Sequence, residues 1–106
     1  MPDERISSGQ PLTVEDVFGL WALKPTEGEG RCRIALSNMG EGPLRGVQIE
    51  SCTIKVVAGG TQWRPVEGGF ELLGDGEQVL MKFRQTGVDG FESLDGRYRL
   101  SRAPMA

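Results

Sequence analysis

From Gly19 onward apolar and polar positions alternate with period two, and the alternation is interrupted only by runs of turn residues. Neighbouring side chains of an extended strand point to opposite faces. In Arg31-Cys32-Arg33-Ile34-Ala35-Leu36, therefore, Cys32, Ile34 and Leu36 share one face while Arg31 and Arg33 take the other. Gly19 to Lys24 reads as a first strand with Trp21 and Leu23 on one face, and Pro25 to Gly30 as a loop. Arg31 to Ser37 and Arg45 to Ser51 are the next two strands, joined by the turn-rich Asn38-Met39-Gly40-Glu41-Gly42-Pro43.

Thr61 to Arg64 reads as a short strand that Pro65 cuts off, because proline supplies no ladder donor. Phe70 to Leu73 and Gln78 to Arg84 flank a hairpin turn, Gly74-Asp75-Gly76-Glu77. On the second of these strands Val79, Met81 and Phe83 face one way and Gln78, Lys82 and Arg84 the other. Gly90 to Leu94 and Arg97 to Arg102 form a last hairpin around Asp95-Gly96, with Tyr98 and Leu100 alternating against Arg97, Arg99 and Ser101. Thr53 to Val57 fits a strand, a corner or a helical turn, and its pattern does not decide among them.

Ahead of the strands, Thr13 to Phe18 has the marks of one helical turn: Thr13 as cap, Asp16 three residues later, and Val14, Val17 and Phe18 on one side, with Gly19 to end it. Met1 to Leu12 is polar and aperiodic, which predicts an extended or mobile arm. The expected division is an arm over 1–12, one barrel domain over 13–103 and a tail over 104–106.

About eight short antiparallel strands, each with one apolar face, close most economically into a small up-and-down barrel, since closure removes exposed edges. A two-sheet sandwich is the alternative. The predicted core is Trp21, Ile34, Leu36, Val47, Ile49, Phe70, Leu72, Val79, Met81, Phe83, Phe91, Tyr98 and Leu100. Sixteen glycines and six prolines among 106 residues agree with an all-β chain of short elements and tight turns.

Fifteen acidic against twelve scattered basic residues, a formal charge of −3, argue against nucleic acid, whose backbone demands clustered Lys and Arg. No apolar stretch approaches the roughly twenty residues that span a bilayer, so no transmembrane segment is expected. Histidine is absent, which removes the commonest general base and zinc ligand at one stroke and weakens hydrolytic and metalloenzyme readings. No cofactor is expected.

Cys32 lies on the apolar face of one strand and Cys52, its one possible partner, near the end of the next. They read as a staple, which belongs to oxidising compartments, or as two buried free thiols. A disulfide closing a loop of about twenty residues contributes on the order of 3 kcal/mol. Met1-Pro2-Asp3-Glu4-Arg5-Ile6 lacks the apolar core of a secretory signal, so the expectation is a chain numbered from after signal removal, or else a cytosolic one.

Other motifs are weak. Asp89 to Asp95 offers three carboxylates at a spacing unlike a calcium loop, and Asp-Gly steps at strand ends are turn chemistry. Glu27-Gly28-Glu29-Gly30 lacks the lysine and helix start of a phosphate cradle. Trp21 and Trp63 serve as core or as the lining of a ligand mouth. The arm is the remaining candidate: a narrow extended segment on a rigid barrel can enter a cleft and pair through its main chain as a substrate does. A terminal α-amine, with a pKa near 8, ligates zinc in its neutral form at modest cost.

Gly19 with Trp21, the Cys-x-Ile strand at Cys32, the second cysteine at Cys52, Trp63-Arg64-Pro65 followed by Gly69 and an apolar strand, and the closing Leu94-Asp95-Gly96 hairpin form an ordered set. That set, running from about Ser7 to Ala103, resembles the bacterial inhibitors of serralysin-type alkaline metalloproteases. The resemblance implies a lipocalin-like eight-stranded barrel with one disulfide, Cys32 to Cys52, a periplasmic or envelope location, a monomer, and a secreted zinc metalloprotease as partner. It further implies that Ser7, Ser8, Gly9, Gln10 and Pro11 form a trunk inserted into the protease cleft. Because Met1 to Ile6 precedes Ser7, a free amine at Ser7 requires processing. Outer-membrane lipoproteins with the same barrel give the alternative: an envelope interaction module without inhibitory activity.

Overall fold

The computed structural model describes residues 13–40, 42–87 and 89–103. One helical turn, α1 (Val14–Val17), leads into β1 (Gly19–Pro25), β2 (Cys32–Leu36) and β3 (Arg45–Glu50). A second turn, α2 (Lys55–Ala58), precedes β4 (Gln62–Val66), β5 (Gly69–Leu73), β6 (Val79–Gly87), β7 (Gly90–Ser93) and β8 (Tyr98–Arg102). Each strand pairs antiparallel with its sequence neighbours and β8 pairs back onto β1, so the sheet is a closed eight-stranded barrel rather than a sandwich.

The alternation read from the sequence sets which side chains fill it. Directly opposed residues in a ladder point the same way. Leu100, Leu23 and Cys32 form one inward row, Trp21, Ile34 and Ile49 a second, and Trp63, Leu72 and Met81 a third. Trp21 and Trp63 are fully buried, so both are core rather than the lining of a mouth. Phe91 meets Trp21 edge-on at 5.2 Å and Phe70 at 5.0 Å, while Phe70 stacks on Phe83 at 4.8 Å. Such pairs add about 0.5–1.5 kcal/mol beyond area burial. Side chains of this size, with Trp21, Trp63, Phe70 and Phe91 all buried, fill the interior of a barrel of this width.

Three expectations fail locally. Val79 is 39% exposed: the β5–β6 register slips between Leu72 and Leu73 and sets Val79 opposite Leu73, out of phase with Met81 and Phe83. The side chain of Leu80 lies against Gly74, where a Cβ would sit 3.2 Å from it. Pro65 does not end its strand; it pairs with Phe70 inside β4, and β3 runs beside only Gln62 and Trp63, so no ladder bond is lost at the proline. Phe18 leaves the apolar side of the helical turn, since its ψ of 153° already belongs to extended chain, and it is 38% exposed. Thr53 to Val57 resolves as a loop running into α2, with Ile54 and Val57 buried.

Because every strand reverses direction, the barrel has two distinct ends. One holds α1, the start of β1, the β2–β3 loop and the end of β8. The other holds the Thr26 to Arg31 loop, the connection carrying α2, and the turns before β6 and β8. The disulfide Cys32–Cys52 closes this second end, beside hydrogen bonds from Thr53 N to Arg31 O and from Arg31 N to Thr53 Oγ1, both 3.0 Å.

Candidate functional site at the α1 end of the barrel

α1 is only four residues long and could not persist alone, so its placement comes from contacts around it. At its start, Asp16 N donates to Thr13 Oγ1 at 3.3 Å and Thr13 N donates to Asp16 Oδ2 at 3.0 Å. This reciprocal capping box is worth about 1 kcal/mol and holds Thr13 extended, at φ −96° and ψ 164°. On its inner side Val17 is fully buried, and Trp21 Nε1 donates to the Val17 carbonyl at 2.8 Å.

Arg102 completes the mount. It stands opposite Trp21 in the β1–β8 ladder and so takes the inward side at the last position of β8, where the barrel opens. Its guanidinium lies 4.2 Å from the centre of the Trp21 ring, a cation–π contact. Nη1 donates to Phe18 O at 2.7 Å and Nη2 to Asp16 O at 3.2 Å, meeting carbonyls that a helix end leaves without partners. Nε donates to the Asp89 carboxylate at 3.2 Å. Gly19 makes room for this: its φ is +133°, and a Cβ there would run into Arg102 Nη1.

A second tryptophan ties down the facing loop. Trp63 Nε1 donates to Ser37 O at 2.9 Å, and Arg45, opposite Trp63, folds the loop by donating through Nη1 to Gly42 O and Leu44 O. What remains in solvent at this end includes two large apolar side chains, Phe18 at 38% and Met39 at 74% exposure.

The predicted site residues divide. Ser7, Ser8, Gly9, Gln10 and Pro11 lie outside the described residues; the chain leading to them joins the barrel at Thr13, on this end. Cys32 and Cys52 are bonded, but at the opposite end, where they brace the scaffold. The three carboxylates of Asp89 to Asp95 are not brought together. Asp89 pairs with Arg102, whereas Asp95 sits in the hairpin at the other end and accepts from Ser93 Oγ at 2.7 Å and Arg97 N at 3.0 Å. Those two donors hold the Asp95 carboxyl below its ordinary pKa. Among the described residues no group of His, Cys, Asp and Glu is arranged to hold a metal, and no helix is long and apolar enough to cross a membrane.

Arg102 is the site residue that the period-two reading passed over. It falls in phase with Tyr98 and Leu100, and a charge at an inward position is itself a signal. The pattern showed the phase without the partner that justifies it.

The sequence profile of the family described as protease inhibitor Inh matches residues 11–102, nearly the whole chain. The chain belongs to this family, in agreement with the resemblance carried by Trp21, the two cysteines and the Trp63-Arg64-Pro65 step. Its members inhibit proteases, so the protein is an inhibitor rather than an enzyme and its partner is a protease. Among curated proteins, none matches the chain.

Proposed function

We propose that the protein inhibits a serralysin-type zinc metalloprotease by placing Ser7-Ser8-Gly9-Gln10-Pro11 in the active-site cleft while the barrel end around Phe18 and Met39 rests on the cleft rim. The observation that carries this reading is the fixed base of the arm. α1 is capped at Thr13, buried at Val17 and held at Asp16, Val17 and Phe18, so the preceding chain starts from a rigid point beside exposed apolar side chains.

Fully extended, Ser7 to Leu12 would span at most about 20 Å, enough to reach into a protease cleft from its rim. The main chain of the segment pairs with the cleft wall as a substrate strand does. Where processing leaves Ser7 as the terminus, its amine, with a pKa near 8, reaches the zinc as a neutral ligand; with Met1 to Ile6 attached, inhibition is by occupation of the cleft alone. The barrel acts as a monomer, one inhibitor to one protease. The disulfide fits an oxidising compartment, which for this family resemblance is the periplasm or cell envelope.

The test is the inhibition constant against a serralysin-type protease for the full chain and for a chain lacking Met1 to Pro11, both checked for native circular dichroism. A loss of a hundredfold or more on deletion supports the trunk mechanism. Undiminished inhibition by the deleted chain overturns it, and no inhibition by either chain favours an envelope interaction module.

A further inference from the structure

We propose that Arg102 is the positioning residue of the inhibitory arm, fixing the direction in which the chain before Thr13 leaves the barrel. The inference rests on the arm reading above and adds a residue that sits at the other end of the sequence.

Three successive carbonyls, those of Asp16, Val17 and Phe18, are each held by a side chain: the first and third by Arg102, the middle one by Trp21. The two side chains are themselves stacked, guanidinium over indole, at 4.2 Å. One rigid plate therefore grips every peptide unit between α1 and β1. Arg102 is in turn held from outside by Asp89 through Nε. Only a planar group with donors in several directions makes all of these contacts at once; a lysine ammonium is a single point charge and cannot both stack and bridge two carbonyls.

This cluster is more than the β1–β8 pairing needs. An inward position at the rim of a barrel is satisfied by any apolar residue, and the β1–β8 ladder already continues through Ala103 N to Leu20 O at 3.0 Å. The added value of Arg102 is directional. A segment that must enter a cleft gives up its freedom on binding, and that loss is smaller when its base is already fixed. Gly19 fits the same account, since its missing Cβ is the space that Nη1 occupies.

The test compares the full chain with its R102K and D89N variants by two measurements. One is the inhibition constant against a serralysin-type protease. The other is hydrogen exchange of the two tryptophan indoles by NMR, Trp21 reporting its bond to Val17 O and Trp63 its bond to Ser37 O. R102K is expected to weaken inhibition about tenfold, with a smaller weakening for D89N. Exchange at Trp21 should quicken while Trp63 stays as protected as in the parent. Faster exchange at both indoles would make Arg102 a support of the whole barrel and overturn the inference, as would an unchanged inhibition constant in R102K. The arm reading fails separately: if deletion of Met1 to Pro11 leaves inhibition intact, the arm itself is wrong; if deletion abolishes it and R102K does not change it, only Arg102 is.

Discussion

The indole nitrogen of Trp21 donates to the carbonyl of Val17 four residues earlier, at 2.8 Å, inside a fully buried environment. One residue thereby belongs both to the core, through Phe91, and to the mount of α1, through Val17. Replacing Trp21 by Phe keeps an aromatic ring but removes the donor and leaves a buried carbonyl and a small void. We expect a loss of about 3 kcal/mol in urea unfolding, since an orphaned buried acceptor and a core cavity each cost on the order of 1–3 kcal/mol.

Gly19→Ala should be more damaging than an ordinary surface change. A φ of +133° is strained for alanine, and the added methyl meets the Arg102 guanidinium. The expected cost is about 2 kcal/mol by chemical denaturation, within the range for a residue forced into a sparsely populated backbone region.

The staple should be worth about as much as the Trp21 contacts. Cys32 and Cys52 are 20 residues apart, and closing such a loop restrains the unfolded chain by about 3 kcal/mol. Calorimetry with and without a thiol reductant should show the melting temperature falling by roughly 12 °C or more on reduction, as 1 kcal/mol shifts a domain of this size by about 4–8 °C.

Ion pairs on the outer wall are expected to be unequal. Arg64 meets Glu71 through Nε at 2.8 Å and Nη2 at 2.7 Å, with Lys82 at 3.9 Å, and the Glu71 side chain is 12% exposed. Arg33 and Glu50 are 4.0 Å apart and half exposed. Glu71→Ala should therefore cost about 1–2 kcal/mol, whereas Glu50→Ala should cost less than about 0.5 kcal/mol in the same unfolding assay.

Acid should act on the far hairpin through Asp95. Its pKa is lowered by the Ser93 hydroxyl and the Arg97 amide, so the folded state holds the carboxylate more strongly than the unfolded chain does. Its contribution is complete above the unfolded value of 3.8 and is lost as pH falls through the lower folded value. The stability gap between the parent and Asp95→Asn, measured by denaturation across pH, should thus be largest near neutrality and close in strong acid.

The barrel was legible because period-two alternation is a local property, and Trp21, Ile34, Phe70, Phe83 and Leu100 took the faces it assigned them. Val79 was misread because a register slip is decided by two strands together, and no single strand records it. Pro65 was misread for a related reason: whether a missing donor matters depends on how far the neighbouring strand extends. The segment Lys55–Ala58 was undecidable in isolation, since Val56 and Val57 favour strands by propensity and only burial of Ile54 and Val57 over the barrel end makes the turn worthwhile. At the site, Thr13 and Asp16 announced the cap, while Arg102 could be understood only once Phe18, Trp21 and Asp89 stood around it.

The most direct measurement is competition for the cleft. A serralysin-type protease is saturated with a short peptide hydroxamate that chelates its zinc, and the full-length chain is then titrated in by calorimetry. Binding in the cleft predicts mutual exclusion, with the apparent affinity of the chain falling in proportion to hydroxamate occupancy. A ternary complex formed at undiminished affinity would contradict the account.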